Sequence, residues 1–204
     1  MARSAPYQPF LLRLIHGISG FLAIAAVMTG FWVYDIYDGR FGKLSLPPIP
    51  DIQGIHGTFG LFFLLSLPAL AIYSFYVGYR KLIQADFASK LFQQVGKPMW
   101  WMNLQRITNT AMLLAATFAV ITGRMMKEAW LPAGELYHVW YSLHLTAWLV
   151  MVLAIALHLL MSAKVGGTPL LMSMMSFKYR PEESPKRWWS NIRTWMNGVS
   201  KNRE

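Results

Sequence analysis

Four of the five histidines in this chain fall where two buried metal centres would need ligands. His16 lies early in the first apolar span and His56 early in the second, while His144 and His158 share the last span, 14 residues apart. Along an α-helix 14 residues advance roughly 21 Å and bring the side chain back to within about 40° of its first direction. One helix therefore offers an imidazole at each of two membrane depths. The chemistry in view is bis-histidyl ligation of two haems. With imidazole on both faces, an iron has no open coordination position, which suits electron transfer better than oxygen activation.

Four apolar spans must position these residues. They run from about Leu11 to Tyr34, Gly54 to Val77, Ile107 to Thr122 and Val139 to Ala163. A bilayer core needs about 20 mostly apolar residues, so the third span needs flanking residues to join it. Pro68 is expected to kink the second helix, which a membrane helix tolerates by re-satisfying the freed carbonyl locally. The expected fold class is all-α: an integral membrane four-helix bundle. The first span is long and contains Arg13 and His16, so it is expected to remain in the mature protein as a helix and not to be a signal peptide.

Orientation follows from the cations. Of the 19 Lys and Arg, 15 lie in the N-terminal segment, the second connection and the C-terminal tail. Arg40, Lys43, Arg124 and Lys127 are the four on the other side. Positive residues collect on the cytoplasmic side, so both termini and the middle connection are expected in the cytoplasm. The net charge of +10 has its source in this asymmetry, and nucleic acid is not an expected partner. Two segments read as amphipathic helices in the headgroup region. One is residues 80–95; the other is the tail after Ser184-Pro185, with Trp188, Ile192, Trp195, Met196 and Val199 on one face. The chain divides into a four-helix domain over 1–165 and a basic tail over 166–204 with a Trp-rich segment.

Composition narrows the chemistry. The chain is 55% hydrophobic and 14% charged, and its mean hydropathy of +0.34 lies on the membrane side. No cysteine is present. Disulfides, thiolate-bound zinc, cysteine-ligated iron–sulfur clusters and covalent c-type haem are thereby removed.

Depth pairs the histidines. The first helix leaves the cytoplasm and the second and fourth enter from outside, so His16 matches His158 at the inner side and His56 matches His144 at the outer. Two matches are harder to obtain by chance than one. Zinc or copper would instead need ligands converging on one locus. A repeat adds support: His16-Gly17-Ile18-Ser19-Gly20 and His56-Gly57-Thr58-Phe59-Gly60 both read H-G-x-x-G. Gly20 and Gly60 lie one turn after a ligand on nearly the same face, where a missing side chain leaves room for a flat macrocycle. Simple helix packing is the other reading of such glycines. His138, six residues before His144, turns roughly 120° from the ladder face and reads as an interfacial residue or hydrogen-bond partner.

These elements resemble the four-helix di-haem b-type cytochromes of bacteria. That group takes in the cytochrome b561 family, the membrane subunits of respiratory formate dehydrogenases and the b-type subunits of nickel–iron hydrogenases. The matching residues are Arg13-Leu14-Ile15-His16, His56 opening the second helix, and His144 with His158 in the fourth. The third helix carries no ligand, as in the family. The resemblance covers about residues 8 to 165, with Gly17 where members commonly carry Trp. It implies two haem b cofactors and transmembrane electron transfer between quinone and a redox partner, alone or as a subunit of a redox complex. It implies a bacterial inner membrane or a thylakoid membrane as the location. Polar groups available to a quinone carbonyl or a haem propionate are Arg13, Asn103, Arg106 and Asn109 at the inner side. Arg40, Arg124 and His138 stand at the outer side. Arg13, one turn before His16, is the first candidate for a propionate; a lipid phosphate is its other partner.

Asp35, Asp38 and Asp51 in the first outer connection, and the basic inner surface, are candidate docking faces. A membrane scaffold or assembly factor with structural haem is the alternative from another class. A proton-linked transporter fits less well, because none of the nine Asp and Glu lies well inside a predicted span.

Overall fold

The computed structural model describes residues 8–178, 180–184, 187, 190 and 193. Its elements are α1 (Phe10–Tyr37), α2 (Ile52–Tyr76), the short α3 (Phe87–Gln93), α4 (Pro98–Arg124) and α5 (Val139–Met175). All but α3 are long and apolar enough to cross a membrane. The described residues contain no strand. The Trp-rich part of the tail lies outside the described residues.

Local chemistry sets the helix limits. The Asp51 carboxylate accepts the Gly54 N–H at 3.2 Å and caps α2. Pro98 opens α4 at a position where a missing N–H costs nothing. Gly39, with φ of 66°, ends α1 in the left-handed region and donates its N–H to the Tyr34 carbonyl at 3.0 Å. α2 runs unbroken through Pro68. α5 passes the expected end near Ala163 and is broken only at Gly167, whose φ of 64° and ψ of −170° suit glycine alone.

α4 is longer than the span at 107–122 because its first turns are polar yet helical. Its best window has a mean hydropathy of 1.3 against 2.2 for α5. Asn103 and Thr108 are buried there, so the polar residues face protein and the lipid-facing side stays apolar. The segment expected to be amphipathic resolves into a 3-10 turn at Tyr79–Lys81 and the seven-residue α3.

The helices pack as two hairpins, α1 with α2 and α4 with α5, and packing within each is denser than between them. Mid-bundle, Ala23, Phe63, Leu67, Ala115, Ala116 and Met151 close the space between hairpins. At one end Val33, Ile52, Leu131 and Tyr141 make a second cluster. That end, which carries the 38–51 and 125–138 connections, is called the far end. The near end carries the start of α1 and the 77–97 connection.

Candidate functional site

The helices run alternately, so His16 on α1 and His158 on α5 meet at the near end. His56 on α2 and His144 on α5 meet at the far end. The ring centroids lie 6.1 Å apart in the near pair and 6.0 Å apart in the far pair. A first-row metal binds an imidazole nitrogen at roughly 2 Å. Two such bonds plus the depth of two rings require a separation of roughly 6 Å. Both pairs therefore have the spacing that an iron between two imidazoles needs. Among the described residues no three His, Asp or Glu gather at one locus.

Hydrogen bonds set the tautomer of three of the four rings. Thr29 Oγ1 donates to the Ala25 carbonyl at 2.7 Å, which leaves its oxygen to accept from His56 Nδ1 at 3.1 Å. Thr122 Oγ1 donates to the Phe118 carbonyl at 2.8 Å and stands 3.1 Å from His144 Nδ1. The Ala119 carbonyl, which can only accept, is 3.0 Å from the same nitrogen. Asn109 Nδ2 donates to the Lys81 carbonyl at 2.9 Å, turning its Oδ1 toward His158 Nδ1 at 2.8 Å. In each case Nδ1 carries the proton and Nε2 the lone pair, the state a metal ligand requires. His16 makes no hydrogen bond among the described residues.

Between the far histidines lies a cavity of about 360 Å³, lined by His56, His144, Gly30, Gly60 and Gly123 among others. A Cβ at Gly20 or Gly60 would meet no atom within 4 Å. Neither glycine is therefore held by close helix contact, and both leave room for a flat group beside a ligand. Arg124 and Lys127 line the far cavity alongside Glu128, and carboxylates of a bound group would find positive charge at the two cations. Histidine pairs, ring spacing, tautomers and cavity together fit haem.

The other polar candidates separate. Arg13 is buried and donates to the carbonyls of Ser176 and Lys178, the latter at 2.6 Å. It thus ties the end of α5 to α1 one turn from His16. Asn103 is fully buried with Nδ2 unpaired among the described residues, and its Oδ1 accepts from Arg106 at 3.3 Å. At the far end Arg40 is spent on Asp38 at 2.9 Å and on the Leu136 carbonyl at 2.6 Å. His138 stacks on Trp130, centroids 3.5 Å apart.

Of the three carboxylates in the expected acidic docking face, Asp35 and Asp38 turn to partners within the protein, whereas Asp51 is exposed. Asp35 is fully buried and accepts the backbone N–H groups of Leu44 and Leu46. Asp38 accepts from Arg40 and from Tyr141 Oη, and Asp51 caps α2. Anionic side chains beside an apolar bundle hold the connection in place because each finds N–H or O–H donors there.

Sequence reasoning missed Thr29, Gly30, Thr122 and Gly123. Their signal is a second repeat, Ala26-Val27-Met28-Thr29-Gly30 and Ala119-Val120-Ile121-Thr122-Gly123, in the helix that precedes each far-end histidine. A family model described as prokaryotic cytochrome b561 matches residues 7–177. No curated protein and no solved structure matches the chain.

Proposed function

We propose that this chain, which belongs to the prokaryotic cytochrome b561 family, carries electrons across a bacterial membrane with two b-type haems, one on His16 and His158 and one on His56 and His144. Family membership and four apolar helices make it a multi-pass membrane b-type cytochrome of electron transfer. The observation that carries the two-haem reading is the pair of facing imidazoles at 6.1 and 6.0 Å. When bound, haem supplies a reversible one-electron change. His16, His56, His144 and His158 would hold the two groups, with Nδ1–H of the last three fixed by hydrogen bonds so that Nε2 is free to bind.

Gly20 and Gly60 leave space beside the macrocycles. Arg13 places positive charge one turn from the near ligand, and Arg124 and Lys127 do so at the far cavity. Membrane quinone is the proposed exchange partner. Asn103 Nδ2, buried at the near end without a partner among the described residues, is an N–H suited to a quinone carbonyl. A redox partner, as subunit or diffusible protein, is proposed at the near face, where Arg80, Lys81, Lys90 and Lys97 give a basic surface. Their excess also supports a cytoplasmic near end with both termini on that side, in a bacterial inner or thylakoid membrane.

The deciding experiment is pyridine haemochrome stoichiometry on detergent-purified protein with a reduced-minus-oxidised spectrum. Two low-spin b-type haems per chain, unreactive to carbon monoxide and reduced by added quinol, are expected. Protein without haem after expression with ample haem supply would overturn the reading in favour of a membrane scaffold.

A further inference from the structure

The far pair has a construction that the near pair lacks. In each hairpin the first helix carries Ala-Val-x-Thr-Gly and the second carries the far-end ligand. α1 presents Thr29-Gly30 to His56, and α4 presents Thr122-Gly123 to His144. The parts do equivalent work in both. The Thr hydroxyl proton is committed to the carbonyl four residues back, so the oxygen accepts the imidazole N–H. At His144 the Ala119 carbonyl of the repeat is a second acceptor on the same nitrogen. The glycine gives the ring its place: a Cβ on Gly30 would stand 3.0 Å from His56 Cε1, and one on Gly123 would stand 3.0 Å from His144 Cε1. Such distances are tighter than carbon–carbon van der Waals contact, roughly 3.5–4.0 Å. A methyl at either position therefore pushes the ring off its seat.

From this repeated geometry we infer that Thr29-Gly30 and Thr122-Gly123 are paired seats that orient the two far-end ligands and lower the reduction potential of the far haem relative to the near one. The inference rests on the two-haem reading above. Each seat belongs to the same hairpin as its ligand, so each hairpin carries a finished half-site and the metal joins the halves. An acceptor on Nδ1–H makes Nε2 a stronger donor, which favours the oxidised, more positive iron. Both far-end ligands have that support. At the near end, among the described residues, only His158 has it, from Asn109.

The test is an equilibrium redox titration of the haem-loaded protein, followed in the α-band. His144→Ala assigns the far component. Thr29→Val with Thr122→Val removes both hydroxyl acceptors and leaves the Ala119 carbonyl at His144. The far component should move upward, on the order of threefold to tenfold in its reduced-to-oxidised ratio, up to about 59 mV for a one-electron couple. The near component should stay in place. Thr29→Ser with Thr122→Ser keeps the hydroxyls and should restore the far potential. Should the Val variant lose haem, Gly30→Ala and Gly123→Ala serve instead, read as altered low-spin electron paramagnetic resonance of the far haem alone.

An unmoved far component, equal movement of both components, or a Ser variant that behaves like Val would overturn the seats while leaving the two-haem reading intact. Wild-type protein without two haems would instead sink the two-haem reading itself.

Discussion

The two ends of the bundle hold their histidines by different means. At the far end both rings lean on a threonine hydroxyl of the neighbouring helix in the same hairpin, and His144 leans on the Ala119 carbonyl as well. At the near end one ring leans on Asn109, whose other hand holds the Lys81 carbonyl in the 77–97 connection. That connection is also fastened by the Ile83 N–H to Thr110 Oγ1 at 2.9 Å. Arg13 adds the end of α5, and the Phe10 N–H donates to Glu183 at 3.1 Å. The hydrogen bonds to the far rings thus come from helices alone, whereas the near pair is tied to loop and tail. A partner that touches the connection reaches the near ligand through two hydrogen bonds, and it has no comparable route to the far one.

Substituting single ligands breaks this comparison most severely. His144→Ala should empty the far site and His158→Ala the near site, each halving haem per chain with a distinct spectral loss. Haemochrome assay and difference spectra read the result, and one substitution that empties both sites would refute two separate pairs.

Next comes Asn109→Leu. It should raise the near-haem potential, leave the far one in place and loosen residues 79–84, because the Lys81 carbonyl loses its donor. Leaving the His158 N–H unpaired costs about 1–3 kcal/mol. Hydrogen exchange at Ile83 should quicken; unchanged exchange and potential would remove Asn109 from the near site.

The smallest effect belongs to the far-end connection. Burial works against the Asp38 carboxylate, yet hydrogen bonds from Arg40 and Tyr141 outweigh it and hold the carboxyl below its ordinary range. The native state therefore gains stability from ionised Asp38 at neutral pH. That gain fades as the pH falls from about 4 through the lowered value, as the folded form takes up its proton later than the unfolded one. Wild type should lose thermal stability over that window by about 1 kcal/mol or less, and Asp38→Asn should show no such step. A step of equal size in the variant would assign it to other groups.

Much of the site was legible before the fold. Histidine in an apolar helix is costly unless it has work, and 14 residues of helix convert directly into a second depth, so the two pairs followed from spacing. The H-G-x-x-G repeat was legible because it contains the histidine. The Ala-Val-x-Thr-Gly repeat was harder to read, because Thr and Gly are ordinary in membrane helices and lie 27 and 22 residues from the rings they hold. The engagement of Asp35 and Asp38 was hidden for a related reason. A carboxylate in a loop reads as exposed until the backbone N–H groups that bind it are placed beside it.

The sequence by itself determined the four apolar helices, the two histidine depths and the partners across them, because helix rise and hydropathy are local properties. Only the tertiary structure decided which hydroxyl, amide or carbonyl faces each Nδ1, that Arg13 fastens the end of α5, and that Asp35 and Asp38 turn inward. Those outcomes depend on how neighbouring helices are rotated and which donors the connections bring, and no single segment encodes either.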